Sequence, residues 1–136
     1  MSEAELLLLG SESLDRVWSL VQWWASISFG LLVIAHIAAD RIGLFVAVLV
    51  SMLYTGFTLA VLRIAQRNMG IVESVIGDLR VLKTAGVELT MTAQYWMQGS
   101  DPVIKMAMPA VVVFTYLSVL GYFIYSYRNK FSDGNT

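Results

Sequence analysis

The chain has 136 residues, 57% of them hydrophobic and 14% charged, with a formal net charge of −1. Soluble domains carry about 25% charged residues, so this balance points to lipid as the main solvent, and the near-zero charge offers no basic surface for nucleic acid. There is no cysteine and a single histidine, which removes disulfides, thiolate metal sites, thiol nucleophiles and most two-histidine ligand sets.

The N-terminus is acidic and lacks the basic region and small-residue cleavage site of a secretory signal. The first apolar segment is therefore expected to remain as an anchor. Ser2 and Glu5 have capping-box spacing, and Leu6–Leu9 is an apolar run closed by Gly10. That pattern predicts a short helix within an interfacial segment, 1–16, with polar residues leading into the first span.

Val17–Ala39 is the first predicted transmembrane helix, and Ile42–Ala65 the second. At about 1.5 Å per residue each covers a hydrocarbon core of roughly 30 Å, whereas one helix through both would be more than twice too long. A tight hairpin at Asp40–Arg41 resolves this, with Asp40 as N-cap of the second helix. Trp18, Trp23 and Trp24 sit where an aromatic belt is expected.

Residues 66–101 read as an amphipathic connection. Val72, Val75, Leu79, Leu82, Gly86, Leu89, Ala93 and Trp96 follow in steps of three and four, a heptad seam. A straight upright helix here conflicts with the early return to the bilayer at Pro102. The segment therefore lies flat or folds back, and the favoured break is Gly86, after a helix from Gln66 to Ala85. Val87–Tyr95 also alternates as a strand would. Helix is the preferred reading, with a strand paired to another protein as the alternative. An apolar face of Val72, Val75, Leu79 and Leu82 must be covered by lipid, by the element after Gly86, or by another subunit. Its mixed charge and strict spacing favour a protein partner, so these four residues are the expected partner interface.

The third transmembrane helix is predicted from Pro102 to Tyr127, with Asp101 as N-cap, Pro109 as a kink or the point of passage into hydrocarbon, and tyrosines at the far interface. The tail, 128–136, is expected to end in disorder from Phe131.

Within the spans, Gly43, Ala47, Ser51 and Thr55 form a small-residue ridge, and Ser26 and Gly30 a matching groove. These six are the expected helix-packing residues. His36 and Asp40 share a face near the membrane edge and are the candidates for proton, haem or quinone chemistry. A hydrated His36 paired to Asp40 is the plainer alternative.

The sequence thus predicts an all-α integral membrane protein of three transmembrane helices in a single domain, with no cofactor. Six Lys/Arg on the side of the N-terminus against three on the other place that side in the cytoplasm of the cell (inner) membrane. The expected function is a non-enzymatic assembly, scaffold or accessory subunit, acting as a homo-oligomer or with a membrane-protein partner. A holin-like or channel-like pore is the alternative, and a redox or proton-transfer subunit using His36 the second.

Overall fold

The computed structural model describes residues 1–38, 41–99 and 102–132, with side chains for all of these except 102–105 and 130–132. The described residues form four helices and no strand: α1 (Glu3–Ala38), α2 (Leu44–Thr84), α3 (Met91–Met97) and α4 (Pro102–Ser132). Three of them, α1, α2 and α4, are long and apolar enough to cross a membrane, so the chain is an all-α, multi-pass membrane protein.

The first two helices are much longer than a bilayer requires. With 36 and 41 residues, they measure about 54 and 62 Å against a core of about 30 Å. The expected interfacial helix at 1–16 is corrected: α1 is continuous from Glu3. Gly10 does not end a helix. It lies under Trp96, where an added Cβ would come within 2.6 Å of the ring. The Ser2–Glu5 capping box is present: the Ser2 N–H donates to the Glu5 carboxylate at 2.7 Å, and the Glu5 N–H to the Ser2 hydroxyl at 3.4 Å. The Ser2 N–H, and after it the Ser2 hydroxyl, hold the Glu5 carboxyl below the ordinary value.

The second expected transmembrane helix, ending at Ala65, and the first part of the connection after it, to Thr84, are likewise one helix. The reason is packing: α1 extends past the span as well, so α2 has a partner over its whole length. Buried residues recur along α1 at Leu6, Gly10, Ser13, Val17, Trp24, Ser28, Leu31 and Ala35. They recur along α2 at Ala47, Tyr54, Thr58, Val61, Asn68, Val72, Val75 and Leu79. Both sets step by three, four or seven, which is the spacing of an antiparallel coiled coil. The objection to an upright helix fails because the chain turns at Gly86 and descends along the pair.

Gly86 has φ +84°, the left-handed value that glycine adopts without penalty, and closes α2 as expected. Of the alternating stretch, Met91–Met97 is helical, with Thr90 as N-cap accepting from the Ala93 N–H at 3.3 Å. At the other end of α2 the N-cap is Gly43, not Asp40, and helix begins at Leu44. Ala39 and Asp40, like the expected N-cap Asp101, lie outside the described residues. Pro102 opens α4 as predicted, and the helix continues through Pro109 to Ser132, past the expected start of disorder.

Packing divides into three clusters along the hairpin. Leu31, Ala35, Ala47, Tyr54, Val119 and Phe123 fill one end of the spans. Trp24, Val61 and Val112 join α1, α2 and α4 higher up. Leu6, Val75, Leu79, Leu89 and Ala93 fill the head beyond the spans.

Candidate functional site

The head is the part of the molecule that lipid packing does not require. Leu79 is fully buried, with 0% exposure, and Val75, Leu6 and Ala93 are equally enclosed around it. Two polar clamps hold α3 to the hairpin. Thr90 gives both its N–H, at 3.2 Å, and its hydroxyl to the Glu3 carboxylate. Arg80 donates to the Met97 carbonyl at 3.3 Å. The first clamp places an anion at the N-terminus of α3, where unpaired N–H groups favour it. Glu3→Gln keeps the shape but weakens both bonds. Amide exchange at Thr92–Tyr95 is expected to rise several-fold, with α2 unchanged. Equal protection in the two proteins would show that the clamp contributes nothing.

The four expected interface residues are here, but they face inward. Val72, Val75 and Leu79 are buried within the chain and Leu82 packs beside them. The expectation of a partner subunit on this face is therefore corrected. Its occupants are α1 and α3 of the same chain, which enclose Val72, Val75 and Leu79 and leave only Leu82 partly exposed.

Inside the spans the hairpin is tied by side-chain hydrogen bonds. The Trp24 Nε1–H donates to the Thr58 hydroxyl at 3.0 Å. Thr58 in turn gives its proton to the Tyr54 carbonyl. Ser28 bonds the Trp24 carbonyl at 2.8 Å, which leaves the Tyr54 hydroxyl to donate to Ser28 at 2.8 Å. On α4, Tyr116 bonds the Thr55 hydroxyl at 2.8 Å and its ring lies 5.4 Å from that of Tyr54. In hydrocarbon such groups must find partners internally. Trp24→Phe retains the ring but removes the donor, and should lower unfolding stability in bilayers by about 1 kcal/mol. An unchanged unfolding midpoint would mean that this bond does not hold the hairpin.

Of the expected helix-packing residues, Ala47 is buried against α1 and α4. Ser51 and Thr55 are half-buried and line an open groove of about 700 Å³ between α2 and α4, with Gly56, Phe123 and Tyr127. From Ser51 to Thr55 the ridge thus faces α4, and only Ala47 also meets α1. Ser26 is exposed and bonded to the Gln22 carbonyl, and a Cβ at Gly30 or Gly43 would meet nothing within 4 Å among the described residues. The α1 face that packs on α2 is Ser28–Leu31–Ala35. Sequence pattern alone does not find it, because Ser26 and Ser28 offer the same chemistry two residues apart.

His36 is exposed, and its Nδ1 lies 3.2 Å from the Tyr122 hydroxyl of α4. A shallow apolar depression formed by Leu32, Val33 and Ile37 surrounds the pair. Asp40 lies outside the described residues. A second, more enclosed pocket of about 360 Å³ sits where α4 meets the hairpin, lined by Val21, Ala65, Met69 and Pro109 among others. Among the described residues no three His, Asp or Glu side chains converge as a metal site would require.

No family model matches the chain, and neither a curated protein nor a solved structure matches it.

Proposed function

We propose that the chain is a non-enzymatic membrane scaffold or accessory subunit of the cell (inner) membrane, working as an oligomer or with a membrane-protein partner. The observation that carries this is the uninterrupted seam from Ala35 to Leu6 on α1 and from Ala47 to Leu79 on α2. It turns a membrane anchor into a stiff stalk about 24–32 Å tall beyond the hydrocarbon core, capped by α3. A stalk of fixed height suits positioning and assembly. Every buried side-chain polar atom among the described residues has a hydrogen-bond partner, so the interior reads as a packed support.

The head belongs on the cytoplasmic side by the Lys/Arg excess, with Arg63, Arg67, Arg80 and Lys83 all on α2. Because the chain is cysteine-free, single cysteines at Ser2 and at Asn135 report orientation directly. Labelling from outside intact cells is expected at 135 alone, and labelling at 2 alone would reverse the orientation. The pore reading draws less support, since Ser28, Tyr54 and Thr58 are sealed inside the hairpin and are not free to line a path between copies. Native mass measurement in nanodiscs tests the function: multiples of the 15.1 kDa chain, or a co-purifying membrane protein, are expected. A lone monomer at native density would overturn the proposal.

A further inference from the structure

Two faces of the hairpin are exposed among the described residues, with Gly70 at the edge of the pocket beside α4. On α1 the positions pointing away from α2 recur at Glu5, Leu8, Glu12, Asp15 and Ser19, and all are exposed. On α2 the outward positions are Arg63, Arg67, Gly70, Ser74 and Gly77, also all exposed. Steps of three and four make each set a straight stripe. One stripe carries three carboxylates, and the other carries two guanidinium groups below a run of small residues. Glu12 pairs with Arg16 of its own helix at 3.6 Å, both in solvent. Asp15, Arg63 and Arg67 make no hydrogen bond or ion pair among the described residues. A Cβ at Gly70 or Gly77 would meet nothing within 4 Å among the described residues, and neither glycine has a positive φ. The chain's own fold therefore does not call for glycine at either place, though glycine is a poor helix former.

The register of the hairpin sets the relative height of the stripes. Trp24 pairs with Thr58, and Ser28, four residues on, pairs with Tyr54, four residues back. Continued towards the tip, the same register puts Asp15 level with Arg67, Glu12 with Gly70, and Leu8 with Ser74. The bilayer holds every copy at one depth and in one orientation. Two copies side by side therefore present these stripes to each other already in register. Contact of α1 with α1 would set carboxylates against carboxylates, and contact of α2 with α2 would set arginines against arginines.

We propose that a second copy of this chain docks head to tail, the acidic outward stripe of α1 on the arginine–glycine stripe of α2. Asp15 of one copy meets Arg67 of the next, and Leu8 rests on the bare backbone of Gly70–Gly77. Exposed ion pairs add little affinity, but they select which faces meet. The interface is heterologous, so each copy keeps one free face of each kind and the contact propagates into a ring or a row. This inference rests on the oligomeric reading above and names the surfaces that build the oligomer.

The test uses the full chain in native membranes. One tagged copy carries Asp15→Cys and a differently tagged copy carries Arg67→Cys. After oxidation, disulfide between the two tags should exceed 15–15 and 67–67 products about ten-fold. A single chain bearing both cysteines should form a ladder of higher species. In a cysteine-free background, Asp15→Arg should reduce crosslinking by an amine-reactive reagent, and Arg67→Asp in the same chain should restore it. If 15–15 or 67–67 products equal or exceed the mixed product while the amine reagent still joins copies, the faces are wrong and the oligomer stands. If neither chemistry joins copies, the oligomeric reading fails, and this docking with it.

Discussion

Leu79→Asp is expected to open the head while leaving all three spans in the membrane. Leu79 has 0% exposure and sits among Leu6, Val75, Leu89 and Ala93. A carboxylate there would sit among apolar side chains, and leaving a charge unpaired in such a place costs about 3–5 kcal/mol. The head is a small satellite core joining α1, α2 and α3, so a penalty of that size exceeds what holds α3 in place. Amide exchange should accelerate across 3–13, 68–84 and 91–97, with protection kept from Leu44 to Ala65. The alternative outcome is equally sharp. Were the seam of Val72, Val75 and Leu79 an interface between chains, the same variant would yield a folded monomer with its head still protected.

Gly10→Leu tests the other side of the head. The added Cβ alone would approach the Trp96 ring to 2.6 and 2.9 Å and Val75 to 3.4 Å. Overpacking of this kind costs about 1–3 kcal/mol, against about 1 kcal/mol regained in helix propensity. The net loss should fall on α3, the element free to move. Cleavage by a protease in the exposed stretch 85–88 is expected to quicken roughly ten-fold, the rate following the open population. Gly10→Leu with Trp96→Ala should recover much of the loss, because the second change removes the clashing ring. No recovery would mean that Gly10 and Trp96 do not share a contact.

The apolar spans were legible in the sequence because an uncharged apolar run of about 20 residues is rarely anything but a membrane crossing. Gly86 was legible for a different reason: Lys83-Thr84-Ala85-Gly86 combines a last-turn cation with a glycine that can take positive φ. Gly10 carried the same signal and meant something else. A glycine is chosen for a left-handed backbone or for a close approach, and a single sequence does not distinguish the two. The stalk was hidden by its own packing. Gly10, Ser13 and Asn68 occupy the buried seam, so its packing is continuous while its apolar pattern in the sequence is broken by small or polar residues. Ser11–Arg16 accordingly reads as a linker. The apolar face on α2 visibly needs cover. Which of three candidates covers it depends on where α1 points, and that is a tertiary fact. The outward stripes were hidden too, since a solvent-facing glycine looks like a weak point in a helix until the register of the hairpin is known.

The stalk exists only if α2 runs as one helix from the far face of the bilayer into the head. Spin labels at Phe45→Cys and Asp78→Cys, both exposed positions, measure it in a chain with no native cysteine. Labelled protein is diluted with unlabelled protein, so only distances within one chain are read. Thirty-three residues of continuous helix predict a separation of about 50 Å. A span that ends at Ala65 and then lies flat along the membrane surface predicts about 36 Å. A distribution centred near the longer distance upholds the stalk, and one centred near the shorter distance contradicts it.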